Sequence, residues 1–282
     1  MSDLIQILGL PFLACIVIGT VLGYLGIHVL KREVIFVDIA VAQVAAVGAI
    51  AAHLAFHVEQ NTPIAYAASL MCVMLISAFY ALARSKITQI SIEAVIGISY
   101  AITAAAGLFL IGIAPGHAHA HEMLAGNLLW VTWPDILWSL VAFCPVGVCL
   151  YIFRSPLSAV SDSYHAAAAQ GLKVVWWDFL FYMLLGVVIT MAVNVTGVVT
   201  VFAFLIIPAT TSAILSTRLV GRMVIGLAIV TLSSTLGLLF SYYLDFSLGP
   251  AVAMFLGILL AVVAALSRLT QNRSAGPKTA QK

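Results

Sequence analysis

Charge is what this sequence has least of. Lys, Arg, Asp and Glu make up 8% of its 282 residues, against roughly 25% in an ordinary soluble domain. A water-facing catalytic domain is therefore excluded. The net charge of +2 is too small, and too thinly spread, to serve a nucleic acid. Cys15, Cys72, Cys144 and Cys149 lie inside apolar stretches without the spacing of a disulfide framework or zinc site, so they read as small packing residues. No G-x-x-x-x-G-K-[ST] phosphate loop occurs, so the chain does not hold ATP in that manner. His121-Glu122 begins a zinc-protease pattern, but Ala125 stands where the second His belongs, and no Ser/His/Asp set assembles at a recognisable spacing. The N-terminal stretch lacks a basic leader and a small-residue cleavage signature, and is read as a retained first span.

What the chain has is hydrophobic length. At 63% hydrophobic residues, it offers nine stretches long enough to cross a lipid core of about 30 Å: 8–30, 34–56, 64–83, 92–113, 135–153, 174–193, 198–217, 224–244 and 250–267. This predicts an all-α, polytopic helix bundle of eight or nine spans in one transmembrane domain, residues 1–268, followed by a disordered cytosolic tail, 269–282. The weakest span is 198–217, where Gly197 precedes and Pro208 interrupts an apolar run containing Thr200, Thr210 and Thr211; a half-helix is its alternative.

The twelve Lys and Arg residues give orientation. Threading the spans alternately puts Lys31, Arg32, Arg84, Lys86, Arg154, Lys173, Arg218, Arg222, Arg268, Arg273, Lys278 and Lys282 on one side, while connections 57–63, 114–134, 194–197 and 245–249 hold none. Basic residues mark the cytosolic side, which places the N-terminus outside and the C-terminus inside. Trp130, Trp133 and Trp138 at one boundary, and Trp176 and Trp177 at the other, suit an aromatic belt.

Two basic-side stretches are candidate docking surfaces for a cytosolic partner or, equally, plain interfacial anchors. One is 154–173, whose Ala run predicts a short helix ended by Gly171. The other is 205–222, which holds Pro208 and ends at Arg218 and Arg222. The second span carries Ala40, Ala42, Ala45, Ala46, Gly48, Ala49, Ala51 and Ala52, and small residues of this kind predict a central helix with close neighbours.

Polar groups inside spans tend to mark pathways. From Glu33, Asp38 lies about 8 Å and Gln43 about 15 Å inward at helical rise. Gln43 is either a path-lining amide or an interhelical hydrogen-bonder. Asp38 and Glu93 are shallow enough to be charges at helix N-termini. In the connection GHAHAHE, an extended chain would turn His117, His119 and His121, with Glu122, toward one cation; a solvated loop is the plainer reading. His53 and His57 stand at i, i+4 on one helix face and complete the candidate metal set.

On HVLKREVIFVDIAVAQVAAVG (28–48), EAVIGISYAI (93–102), EMLAGNLLWVTWPDIL (122–137), QGLKV (170–174), VTVFAFLIIPATTSAIL (199–215) and LDFSLGPAVAM (244–254), the chain resembles the metal-ion ABC transporter permeases of the zinc/manganese/iron class. The resemblance runs over most of residues 10–267 and rests on the order and spacing of these pieces. It implies a multi-pass permease of a bacterial cytoplasmic membrane, without an ATPase site of its own. Such a permease pairs with a second copy, a cytosolic ATP-binding subunit and an extracytoplasmic metal-binding protein. It also implies a transported divalent metal, with zinc first on the histidine tract and manganese or iron next. By analogy with related importers, 205–222 would be the main ATPase contact and 154–173 a secondary one. Many members carry an Asp and, four residues later, a His in the second span. Here Ile39 and Gln43 fill those slots, Val47 replaces a customary Pro, and Asp38 is one residue early, about 100° around the helix. A gradient-driven secondary transporter is the alternative, although such proteins concentrate ionisable groups near the midplane and this chain offers only Gln43 there.

Overall fold

The computed structural model describes residues 2–57, 62–87, 89–113 and 128–274. Among these, helix follows helix: α1 (Ser2–Arg32), α2 (Val37–Phe56), α3 (Pro63–Lys86), α4 (Ile92–Ile113), a 3-10 turn (Leu128–Trp130), α5 (Trp133–Ile152), two short helices α6 (Arg154–Asp162) and α7 (Tyr164–Ala169), then α8 (Val174–Thr196), α9 (Val198–Leu215), α10 (Leu219–Leu244) and α11 (Leu248–Ser274). Nine of the described helices are long and apolar enough to span a membrane. With no water in lipid to satisfy a free peptide group, uninterrupted helix is the form that keeps every backbone donor and acceptor paired.

Sequence signals set the helix ends. Thr62 caps α3 by accepting from Ala65 N, with Pro63 in the first turn. Thr132 and Asp135 form a reciprocal capping box on α5. Gly197 alone reverses the chain between α8 and α9, at φ 81°, a conformation that glycine reaches without penalty. The half-helix alternative for α9 gives way to one continuous helix of 18 residues with Pro208 inside it. That helix is tolerated because it is enclosed: α1, α10 and α11 all pack on α9. Helix α11 runs to Ser274, past the expected span end, as an established helix extends cheaply through residues of ordinary propensity. Residues 275–282 of the expected tail lie outside the described residues.

The bundle has two groups of helices. On one side α2 packs on α3 and α4, and α3 on α8; on the other α1 packs on α9 and α10, and both of these on α11. Helix α8 is the most enclosed span and touches both groups, while α5 lies against α8 and α1. Phe181, Tyr182, Leu185 and Ile189 of α8 and Leu22, Leu25, Phe204 and Val230 of its neighbours are fully buried in one core.

Small residues set the approach. A Cβ on Gly26 of α1 would overlap the Leu205 carbonyl of α9, so this crossing exists only for glycine. The Ala-rich face of α2 behaves as its composition predicts: Ala40, Ala42, Ala45, Ala49 and Ala52 are buried. Ser69 of α3 donates to Ala45 O across the α2–α3 seam at 2.8 Å. Other buried hydroxyls fold back on their own helices, as Thr190 does to Gly186 O and Thr211 to Ile207 O.

Candidate functional site

The eight described basic residues of the connections stand at the ends of α1, α3 and α5 and the starts of α8 and α10. Their centre is Asp178, whose side chain is fully enclosed. Arg32 of α1, equally enclosed, pairs with Asp178 Oδ1. Arg84 of α3 donates to both Asp178 oxygens at 3.2 and 3.3 Å. Arg32 also gives its Nε–H to Ser161 Oγ at 2.9 Å and stacks over the Phe181 ring at 4.1 Å. Arg84 lies over the Tyr164 ring at 4.8 Å. Burial and the Asp178 carboxylate push the Tyr164 hydroxyl above its usual range, so it stays protonated. An isolated ion in such a place costs several kcal/mol, and the arrangement survives because each charge meets an opposite one, although Arg32 Nη2 is left without a hydrogen-bond partner.

This cluster ties the short helices to the bundle. His28 Nδ1 lies 3.1 Å from Ser161 Oγ, and Lys31 pairs with Asp162 at 2.6 Å. Helix α6 therefore hangs from the end of α1, and α7 from Arg84 through Tyr164. The 154–173 stretch holds two helices where the Ala run suggested one. The second closes as expected, with Gly171 at φ 81° and Leu172 N reaching Ala167 O at 3.2 Å. In 205–222, Leu205, Pro208, Ala209, Thr211 and Ser212 are buried. Arg222 is 9% exposed and turns inward, giving its Nη2–H to Ala209 O at 3.3 Å. Arg218 is exposed. Pro208 stands between Gly23 and Gly226, with its Cβ 3.9 Å from where a Cβ on either would lie.

A second charged pair lies where the α1–α2 turn meets the start of α4, and it is built the other way. Glu93 accepts from Phe36 N at 3.1 Å through Oε1, which holds the turn. Asp38 is 1% exposed and lies in the first turn of α2, where the helix macrodipole favours a negative charge. Asp38 Oδ1 and Glu93 Oε2 are buried without a hydrogen-bond partner. Asp38 follows Phe36 by two residues, so the N–H that Glu93 accepts brings both acids to one turn, and among the described residues no Lys, Arg or His reaches ion-pair distance of either. Gln43, further along α2, faces α4: a Cβ on Gly107 would meet its Nε2 at 2.9 Å. Ile39 beside it is half-buried.

At the opposite end, Leu8, Leu128, Thr196, Tyr242, Asp245 and Ser247 line one cavity of about 440 Å³. It joins the start of α1, the 3-10 turn, the α8–α9 reversal and the α10–α11 connection, all of which the alternating thread puts on one side. His53 lies in the last turn of α2, but His57 leaves the helix in a left-handed conformation, φ 52°. The i, i+4 geometry expected of the two therefore ends before His57. His117, His119, His121 and Glu122 fall outside the described residues. Among those described, no three His, Cys, Asp or Glu side chains gather as a metal-ligand set. Sequence reasoning passed over Asp178 and His28. The signal for Asp178 was available: an ionisable residue inside an apolar span is rare and partnered.

Comparison with known proteins follows this geometry. A model described as the ABC 3 transport family matches residues 5–267. The "Probable iron transport system membrane protein" of Haemophilus influenzae is 25% identical over 235 residues, 79% of this chain and 82% of that protein. The manganese import system permease protein ScaB of Streptococcus parasanguinis is 27% identical over 162 residues, 57% of this chain and 58% of its own length. PsaBC from Streptococcus pneumoniae in complex with Fab shares the fold, with a TM-score of 0.76 at 21% identity over 93% of this chain and 94% of that one.

Proposed function

The chain belongs to the ABC 3 transport family as a permease of a metal ABC transporter, and from that premise we propose that it forms the ion path of an ATP-driven importer of a divalent metal cation. The observation that carries this reading is the family match across nearly the whole bundle, in which nine of the described helices are long and apolar enough to span a membrane. Iron(II) and manganese(II) come ahead of zinc. The relatives are named for iron and manganese, and the acids Asp38 and Glu93 offer hard oxygen donors of the kind manganese accepts. The histidine tract His117, His119 and His121, with Glu122, is the argument for zinc, as a capture site outside the membrane.

The basic end faces the cytosol in this proposal, and the N-terminus lies outside. A separate ATP-binding subunit docks there, with a second permease copy beside this one and a metal-binding protein at the opposite face, in a bacterial cytoplasmic membrane. Helices α6 and α7 are the main ATPase contact. A push on them reaches α1, α3 and α8 through Asp162, Ser161 and Tyr164, whereas Arg222 is turned inward and occupied with Ala209 O. Arg218, exposed beside it, marks a secondary contact, with the Pro208 break in α9 and the Gly171 turn as flexing points.

The test is metal uptake by cells carrying or lacking the chain together with its ATPase, with zinc, manganese and iron(II) in parallel. Chain-dependent uptake of one of them is expected, and none for all three would end the reading. Arg218→Glu should weaken ATPase association modestly, read by co-purification; full association would remove Arg218 from the contact. A gradient-driven secondary transporter is the second reading, favoured by the uncompensated Asp38–Glu93 pair. Ion movement by the chain alone, reconstituted in vesicles under a proton gradient, would establish it instead.

A further inference from the structure

We propose that Asp38 and Glu93 form a cation site of their own, in which a divalent cation, Mn²⁺ or Fe²⁺, bridges Asp38 Oδ1 and Glu93 Oε2 at the basic end of the bundle. The proposal rests on the reading of the chain as a metal permease and deepens it by naming where the cation is held.

Three observations converge. Asp38 is almost completely buried, yet one of its oxygens has no partner. Glu93, from a different helix, is brought to the same turn by its 3.1 Å hydrogen bond from Phe36 N and leaves its own buried oxygen equally unpartnered. Buried acceptors are normally satisfied, and an exception asks for an unseen group. No basic side chain among the described residues neutralises the pair, although Arg32 and Arg84 stand at this same end, committed to Asp178. Two carboxylates brought to one turn with no base to neutralise them call for a proton or a metal ion.

The chemistry of the pair narrows the ion. The unpartnered donors are carboxylate oxygens, without thiol or imidazole, which suits Mn²⁺ better than softer metals. Two protein ligands, with water completing the shell, hold a cation without trapping it. A conducting site must work this way, since its ion has to leave as readily as it arrives. Glu93 Oε1 is fixed by the Phe36 N–H at the start of α2, so its free oxygen is held in place before the ion comes.

The experiment measures Mn²⁺ binding to the full chain in lipid nanodiscs by loss of the free-ion electron paramagnetic resonance signal. Wild type is compared with Asp38→Asn, Glu93→Gln and the double variant, and with Asp135→Asn, the exposed capping acid of α5, as control. The neutral amides keep size and relieve repulsion, so unchanged gel-filtration profiles are expected. Loss of even an outer partner of a ligand typically weakens metal binding about 10–100-fold, so each single variant should weaken it by at least about tenfold and the control by nothing. Binding by the double variant equal to wild type would overturn the proposal and leave the pair sharing a proton. Absence of binding by wild type would overturn it too. If uptake by cells persists in that case, the permease reading stands and only this site falls; if uptake is also absent, the reading falls with it.

Discussion

Asp178 and Asp38 are both enclosed carboxylates at the same end of one bundle, and their surroundings are opposite. Asp178 sits between two guanidinium groups, with aromatic rings over both cations. Asp38 shares its turn with a second acid, Glu93, and pairs with no base among the described residues. A closed set of charges holds helices together, because breaking it strands an ion in a medium that cannot solvate it. An open pair contributes little to holding the fold and keeps its capacity for something that comes and goes. The contrast separates a structural joint from a place for cargo.

Mutation can break that distinction. Asp178→Asn leaves Arg32 and Arg84 without their counter-charge and should destabilise the protein by about 3–5 kcal/mol. Thermal unfolding in detergent and recovery of monodisperse protein read the effect. Arg84→Ala removes one of the two partners, whose hydrogen bonds to a charged acceptor are worth about 1.5–3 kcal/mol. It should lower the midpoint by less than the first change and loosen α7, seen as faster proteolysis near Tyr164. Asp162→Asn opens the exposed pair with Lys31, and its stability change should stay within about 1 kcal/mol. If α6 carries the coupling, metal-dependent ATP hydrolysis by the assembled transporter should nevertheless fall. Asp38→Asn and Glu93→Gln should leave stability where it was, while manganese uptake drops by about tenfold or more. A destabilisation by either as large as that of Asp178→Asn would erase the contrast.

Much of the architecture was legible beforehand because lipid imposes a simple rule on backbone and length. The span expected at 34–56 appears as Val37–Phe56, and the one at 174–193 as Val174–Thr196. The Ala-rich second span is packed on three sides, by α3, α4 and α8. The helix over 154–162 was not foreseen. RSPLSAVSD has neither the apolar length of a span nor an Ala run, and it is positioned by tertiary bonds from Lys31, Arg32 and His28. The Pro and Arg residues of 205–222, with the analogy to related importers, point to a docking surface; what local pattern could not show is that Arg222 turns inward to the Ala209 carbonyl of the neighbouring helix.

Composition and hydrophobic length alone determined the membrane class, the number of spans and the gathering of basic residues at one end, since each depends on residue type counted along the chain. Which acid meets which base depends on where α1, α3, α4 and α8 cross, on the scale of a few ångströms. Nothing in local pattern encodes that distance. Only the packed bundle could show that Asp178 is neutralised by its neighbours while Asp38 and Glu93, brought to one turn, are not.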